Sequence, residues 1–469
     1  LDIRSHEFQV RAVAALHDAS LQQALDKARD GFVAKRAVQV AALSEFEALR
    51  EAARTLKDHV LDHLDHYLER YEAAVVAAGG HVHWARDDAE ARRIILDICK
   101  RVNARTVTKG KSMVSEEIGL NTALIDAGLT VVETDLGEHI IQLAGEAPSH
   151  IIAPAVHKTR DQVSDLFEKA HGGPRLTEIA DLVDAARLAL RERYFQADVG
   201  ITGGNFLIAE TGSSLIVTNE GNGDLTQTLA RVHIVTAGIE RVVPTLDDAT
   251  LFLRLLARSA TGQETETYTT LSTGPKRAAD LDGPEEYHVV LVDNGRSRML
   301  AGPFREMLRC IRCGACMNHC PVYGAIGGHA YGWVYPGPMG SVLTPLIKGL
   351  DAAYDLPNAC TLNGRCAAVC PVKIPLPDLL RRLRHEQLKQ AITPRRQRLV
   401  LAAWRLLATR PKLYHALDRL AARALSAIGG RAGRIRRLPG ARGWTEGRDL
   451  PAPSGRTFLE RWETERKQA

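Results

Sequence analysis

No stretch of about eighteen uncharged apolar residues occurs in this chain, which argues against a membrane-crossing helix. The N-terminus lacks the continuous apolar core of a signal peptide, because residues 1–22 mix acids, bases and apolar side chains. The first residue is Leu1 rather than Met, so a processed or trimmed start is an option. A dinucleotide fingerprint is missing too: the turn Gly-Ile-Thr-Gly-Gly at 200–204 lacks the G-x-G-x-x-G spacing that opens a helix. Cysteine is almost absent outside one window. Of eight cysteines, seven lie between Cys310 and Cys370, and Cys99 stands apart. Disulfide-bonded secreted domains rarely bunch their cysteines this way in so long a chain. A reducing, cytoplasmic setting with metal-binding thiols is therefore expected.

What is present reads as an ordinary globular chain, with 45% hydrophobic and 25% charged residues. Its 469 residues suggest two to four domains at roughly 100–200 residues each. The net charge of +5 conceals an asymmetry. Residues 381–448 hold eighteen Lys/Arg against Glu386, Asp418 and Glu446, so the first 380 residues are net acidic. A basic tail on an acidic body suggests docking onto something negative. No nucleic-acid recognition motif accompanies that charge, so nucleic acid is a poor fit.

The hydrophobic pattern divides the chain into four parts. Residues 1–80 read as a helical segment, with three- and four-residue spacing over 44–78 and a Gly79-Gly80 stop. Residues 81–295 read as an α/β domain with a largely parallel sheet. Expected strands are 81–85, 105–108, 129–133 and 150–153, with helices at 87–102 and 115–127. The stretch 199–243 is β-rich, and 268–271 and 287–292 add strands. Residues 296–385 hold the cysteines and an insert rich in turn formers, Tyr335-Pro-Gly-Pro-Met-Gly340. Residues 386–469 form the basic tail, amphipathic and helical over 399–428, then Gly/Pro/Arg-rich and extended over 429–453. No internal repeat appears beyond the paired cysteine motifs.

The first motif is Cys310-Ile-Arg-Cys313-Gly-Ala-Cys316-Met-Asn-His-Cys320-Pro321, the C-x2-C-x2-C-x3-C-P run of bacterial ferredoxins. Each iron of a cubane needs a thiolate, and three cysteines two residues apart wrap one loop around three corners. Gly314 leaves room for backbone beside the cluster, and Pro321, having no N–H, turns the chain away. In two-cluster ferredoxins the fourth cysteine ligates the other cluster. The second motif is Cys360-Thr-Leu-Asn363-Gly-Arg-Cys366-Ala-Ala-Val-Cys370-Pro371, with Asn363 where the second cysteine would stand. Crossed ligation then assigns Cys310, Cys313, Cys316 and Cys370 to cluster 1, a [4Fe-4S] centre. Cluster 2 receives Cys320, Cys360 and Cys366, one thiolate short. It is either [3Fe-4S], or [4Fe-4S] with Asn363, water or substrate on the open iron. A pair of zinc sites is the competing reading; zinc sites seldom repeat a triple run ending in Cys-Pro. Cys99 falls in a helical apolar pattern and reads as core.

At this point the chain resembles the LutB family, the iron–sulfur subunit of bacterial L-lactate utilisation systems. The resemblance spans essentially the whole chain. It is most specific at the first cysteine motif, at Tyr335-Pro-Gly-Pro-Met-Gly-Ser-Val-Leu-Thr-Pro345 and at Cys366-Ala-Ala-Val-Cys-Pro-Val-Lys-Ile-Pro375. Residues 81–290 resemble the LUD domain of the NagB/RpiA/CoA-transferase-like superfamily, through the stretch Gly200–Ser213 and Glu220-Gly221-Asn222. The resemblance implies a subunit of an L-lactate-oxidising complex that forms pyruvate and passes electrons through two clusters towards a respiratory acceptor. It implies a cysteine-rich CCG-domain subunit and a second LUD-domain subunit as partners. Some family members carry cysteine where Asn363 stands and lack one at 360, so three ligands at the second cluster fit the family. Alternatives are a general electron-transfer protein for another hydroxyacid or quinone reductase, and a redox-sensing ligand-binding regulator.

Weaker candidates carry a plain structural alternative each. The Gly-rich turn at 200–204 could cradle a phosphate or carboxylate, or simply bend the chain. Glu210 and Glu220 could deprotonate a hydroxyacid, or be solvated acids. Lys109 and Lys111 sit at an expected strand end, where open α/β sheets bind ligands, but exposed lysines are common. His59, His63 and His66 share a helical face, and the interleaved Asp58, Asp62 and Asp65 favour a polar surface over a metal site. His319 beside Cys320 could tune a cluster by hydrogen bonding. The basic tail fits an acidic partner subunit, or, as an amphipathic helix, the inner face of the membrane, or is merely solvated.

Overall fold

The computed structural model describes residues 3–438, 440, 445 and 447–466. It divides into two compact units, Leu1–Gln387 and Leu388–Ala469.

The larger unit is built on a six-stranded, wholly parallel sheet. Its strands are β1 (His81–Ala85), β2 (Thr106–Lys109), β3 (Thr130–Glu133), β4 (Val199–Gly203), β7 (Val232–Gly238) and β10 (Glu286–Val292), in the order β1-β10-β7-β4-β2-β3. The intervening β5 (Phe206–Ile208), β6 (Ser213–Thr218), β8 (Val242–Val243) and β9 (Tyr268–Ser272) form a second, four-stranded sheet. Every residue of β7 is buried, as a central parallel strand covered on both faces demands. Gly200 in β4 is a packing residue: a Cβ there would lie 1.9 Å from the Thr226 carbonyl oxygen on helix Asn222–Leu229.

The N-terminal helices Phe8–His17, Ala19–Ala41 and Phe46–Asp62 share one hydrophobic core with the second sheet and the cysteine region, whereas Leu64, Leu68, Tyr71 and Val75 of helix Leu64–Ala77 join a separate core with β7 and β10. Phe8, Phe46, Leu61, Phe206, Phe252, Met317 and Leu379 all belong to the shared core. The cysteines are thereby held against the α/β part.

Local chemistry departs from periodicity in several places. Residues 150–152 form a bend and 153 is irregular, so no strand forms there. The His150 Nδ1 accepts from the backbone N–H groups of Ile152 (3.0 Å) and Ala153 (3.1 Å), and those donors cannot then enter a ladder. The helix expected at 115–127 is two, Met113–Glu117 and Leu120–Asp126, separated by Gly119 at φ 65°. The turn formers after Tyr335 begin helix Gly337–Lys348, with Pro338 in its first turn, where a missing N–H costs nothing.

In the smaller unit, Pro411 splits the expected tail helix into Arg395–Ala408 and Pro411–Gly429. Arg434–Ile435 pairs antiparallel with Leu450–Pro451, and Phe458–Arg466 is helical. Residues 439, 441–444 and 446 of the stretch expected to be extended lie outside the described residues. Helix Arg395–Ala408 buries no residue, and Leu399, Val400, Trp404, Leu413 and Leu420 are exposed. Among the described residues no helix is long and apolar enough to cross a membrane.

Candidate functional site: two cysteine loops beside a sheet-end cavity

The two cysteine motifs adopt the same backbone. Two residues after the first cysteine of each, Arg312 (φ 59°) and Leu362 (φ 55°) are left-handed; two further on, Gly314 (φ 75°) and Gly364 (φ 81°) are left-handed again. Left-handed non-glycine residues are uncommon, so their recurrence at matching offsets marks a repeated loop. Each loop feeds a short helix, Ala315–Asn318 or Arg365–Val369.

This geometry gathers Cys310, Cys313, Cys316 and Cys370 around one small cavity, walled also by Ile151, Arg312 and Met339. Cys320, Cys360 and Cys366 are electrostatic neighbours of one another, and Cys316 in turn feels Cys366. Backbone N–H groups point at sulfur: Ile374 to Cys370 (3.4 Å), Leu362 to Cys360 (3.3 Å) and Tyr323 to Cys320 (3.5 Å). Burial, and then the neighbouring cysteines, push the Cys313 and Cys366 thiols up to about 12; burial carries Cys370 to about 11. Free thiols here are neutral, and a bound metal is what deprotonates them. Converging sulfurs with backbone donors fit thiolate-ligated iron–sulfur clusters, which store and release single electrons.

Arginines brace the loops from behind. Arg50 donates to the Cys370 carbonyl (2.7 Å), Arg36 to that of Val369 (3.1 Å), and Arg384 to that of Cys360 (2.7 Å). Asn363 is exposed, and its Oδ1 accepts from the Arg365 N–H at 2.9 Å, a turn-forming contact. His319 is tied to the Ala315 carbonyl at 3.0 Å.

A second cavity, of about 220 Å³, lies at the C-terminal ends of β2 and β4. Residues 110–112 after β2 and 203–205 at the end of β4 line it, together with Thr218, Glu220, Arg241 and Arg312. Ile151 and Arg312 line both this cavity and the cavity of Cys310, so the two are neighbours. Behind them is a buried ionic network. Arg296 bridges Glu117 (2.8 Å) and Glu240 (2.7 Å), Tyr335 donates to Glu117 (2.6 Å), and Lys57 donates to the Glu240 carbonyl. Burial pushes the Glu240 carboxyl up, but Arg296, Arg241 and Arg312 override it and hold the group at about 2. Gly238 is required there, because a Cβ would lie 2.1 Å from Glu240 Oε2.

The other candidates fare unequally. Glu220 lines the sheet-end cavity and accepts from the Leu136 N–H (3.1 Å). Lys111 lines it too, bound to the Ile152 carbonyl (2.7 Å) and near Asp135 (3.5 Å). Glu210 is elsewhere, accepting from the Leu246 N–H at the start of helix Leu246–Ala260. Lys109 is not an exposed strand-end lysine. It is fully buried and ion-paired at 2.9 Å to both Glu116 and Glu133. His59, His63 and His66 are exposed; His63 is the break between two helices, so a continuous helical face does not exist there. Cys99 is core, inside helix Asp88–Arg101. Arg241 and Ile151 lie outside every local motif, and Arg312 stands in the first cysteine run only as a spacer between ligands.

An α/β unit fused to a double cysteine loop defines a class. Residues 68–292 match the LUD domain, residues 306–374 the 4Fe-4S dicluster domain, and residues 382–467 the C-terminal region of lactate utilisation protein B. The chain is 44% identical to Lactate utilization protein B of Lysinibacillus sphaericus, over 97% of this chain and 96% of that protein. It is 43% identical to the uncharacterized electron transport protein YkgF of Escherichia coli, over 96% of this chain and 95% of that one. With the Bacillus licheniformis Lactate utilization protein B it shares 42% identity over 100% and 98%. This chain belongs to the lactate utilization protein B family. A crystal structure of a DUF162 family protein from Deinococcus radiodurans aligns with 49% of this chain and 98% of that one, at 15% identity and a TM-score of 0.29, too low to carry an argument.

Proposed function

We propose that this chain is the iron–sulfur electron-transfer subunit of a complex that oxidises L-lactate to pyruvate and delivers the electrons to a respiratory acceptor. The observation that carries the reading is the pair of matching cysteine loops packed into one core with a LUD α/β unit. Relatives named for lactate utilisation and for electron transport support both halves of it. Cys310, Cys313, Cys316 and Cys370 hold a [4Fe-4S] centre; Cys320, Cys360 and Cys366 hold a second, either [3Fe-4S] or [4Fe-4S]. The LUD unit is taken to be of the NagB/RpiA/CoA-transferase-like type. A CCG-domain subunit and a second LUD-domain subunit complete the complex, in the cytoplasm.

The exposed apolar and basic faces of the tail helices support docking onto an acidic partner or the inner membrane surface. Truncation after Pro394 leaves iron content intact and weakens assembly or membrane association. Added salt mimics the truncation, since exposed charges are screened over about 8 Å at physiological ionic strength.

The test is anaerobic spectroscopy with iron and sulfide analysis on the reconstituted complex, with and without L-lactate. Lactate-dependent bleaching of the cluster absorption is expected. Reduction by dithionite but never by lactate in the complete complex would sink the reading and favour another electron donor.

A further inference from the structure

The sheet-end cavity occupies a defined place in the topology. Strand addition runs outward from β2 to β3, then returns to β4 on the other side of β2 and continues to β7 and β10. The connections after β2 and β4 therefore leave on opposite faces. Open parallel sheets bind ligands in the crevice at such a reversal. Both of those loops line the cavity here.

We propose that this cavity binds a small carboxylate of the 2-hydroxy or 2-oxo acid class, with Arg241 as its anchor, beside the first cysteine cavity. The proposal rests on the lactate reading for the identity of the acid, and on the structure for the site.

Arg241 is 6% exposed, and its Nε has no hydrogen-bond partner. Its ion-pair contact is Glu240 at 3.9 Å, and that carboxylate is already bound by Arg296 at 2.7 Å. A buried guanidinium keeps its charge, so an unfilled donor on it is costly unless an anion completes the set. Four buried cations, Lys57, Arg241, Arg296 and Arg312, face two buried carboxylates, Glu117 and Glu240. Arg312, whose Nε is likewise unpartnered, lines both cavities and lies over the Tyr335 ring at 4.6 Å, whereas Arg241 lines only the sheet-end one.

Further orphaned groups suit the rest of such a molecule. Thr218 Oγ1 and Glu266 Oε1 are buried without partners and line the same cavity. A ligand hydroxyl offers each a partner, and a keto oxygen accepts from the Thr218 hydroxyl. Burial raises the Glu266 carboxyl above its ordinary value. Met113, Val114, Ile216 and Leu256 supply apolar wall for a short alkyl group. The volume of about 220 Å³ exceeds several times the roughly 30 Å³ taken by one water, so it admits a molecule of a few carbons.

The experiment uses the full-length chain with its clusters, prepared anaerobically and titrated calorimetrically with L-lactate, pyruvate and acetate. Saturable binding of one lactate or pyruvate per chain is expected, with acetate weaker. Arg241→Gln should weaken binding about tenfold or more, as loss of a charge-assisted contact does. Thr218→Val, near-isosteric and away from the ionic network, should weaken it severalfold with iron content unchanged. No saturable binding of any of the acids overturns the site, as does wild-type affinity in a Thr218→Val protein with full iron. If Arg241→Gln loses iron, Thr218→Val decides alone. Pyruvate binding without lactate binding keeps the cavity and removes lactate as its ligand. Lactate-driven reduction of the complete complex, with no acid bound by this chain, keeps the function and removes the cavity.

Discussion

The loop from Cys310 to Cys320 and the loop from Cys360 to Cys370 place left-handed residues at the same two offsets, yet they sit in different surroundings. In the first, Ile311, Arg312, Cys313, Gly314 and Ala315 are all buried, and its walls are shared with the sheet-end cavity. In the second, Thr361, Asn363 and Arg365 are exposed. Equal backbone thus does not mean equal environment. Hydrogen bonding, local charge and solvent access tune a cluster as strongly as its ligands do. The first loop packs against the α/β unit, and the second faces outward at Asn363, where the first loop has a cysteine.

Removing a ligand tests the comparison most severely. Cys370→Ser should abolish the first centre, although residue 370 belongs to the second motif, and leave about half of the iron and sulfide. Cys366→Ser should leave the other half, and the two variants should show different residual electron paramagnetic resonance signals. Identical residual spectra would mean that the sulfurs are not partitioned as assigned.

The conserved handedness can be broken one loop at a time. Gly314→Ala and Gly364→Ala each force a left-handed Cβ, at roughly 1–2 kcal/mol. At Gly314 the new atom also meets Ile152 Cγ1 at 3.2 Å and His150 Cε1 at 3.3 Å, whereas at Gly364 it meets nothing within 4 Å. Thermal unfolding of the cluster-loaded protein should fall further for Gly314→Ala. Equal losses would remove the difference in packing.

Asn363→Cys restores a fourth thiolate on the exposed side. Iron content should rise by about one per chain where the second centre lacks it, and its potential should fall, because added negative charge disfavours reduction. A redox titration followed by paramagnetic resonance reads both. In the native protein the second centre is expected at the higher potential, receiving electrons from the first.

The smallest effect belongs to Asn363→Ala. Its Oδ1 contact to the Arg365 N–H is a solvated turn contact, and losing it should cost at most about 1 kcal/mol while iron content stays constant. Iron loss in this variant would instead make the amide a ligand.

The sequence by itself determined the ferredoxin-type spacing and the parallel α/β unit, because both are local. Ligand spacing is written in consecutive residues, and buried strands such as β7 read as apolar runs. Where prediction slipped, a side chain had taken over the backbone, as His150 does at 150–153, or a glycine or proline interrupted the period, as Gly119 and Pro411 do. Glu220 and Lys111 were legible as candidates through their positions in the strand pattern, but equally legible were Glu210 and Lys109, which line no part of the cavity. Only the tertiary structure separated them, since sequence spacing says where a strand ends and not what packs over its end. The same holds for Arg241, Arg312 and Ile151: their meeting between the sheet and the cysteines depends on packing among residues 71 to 161 positions apart. No local pattern encodes a contact of that range.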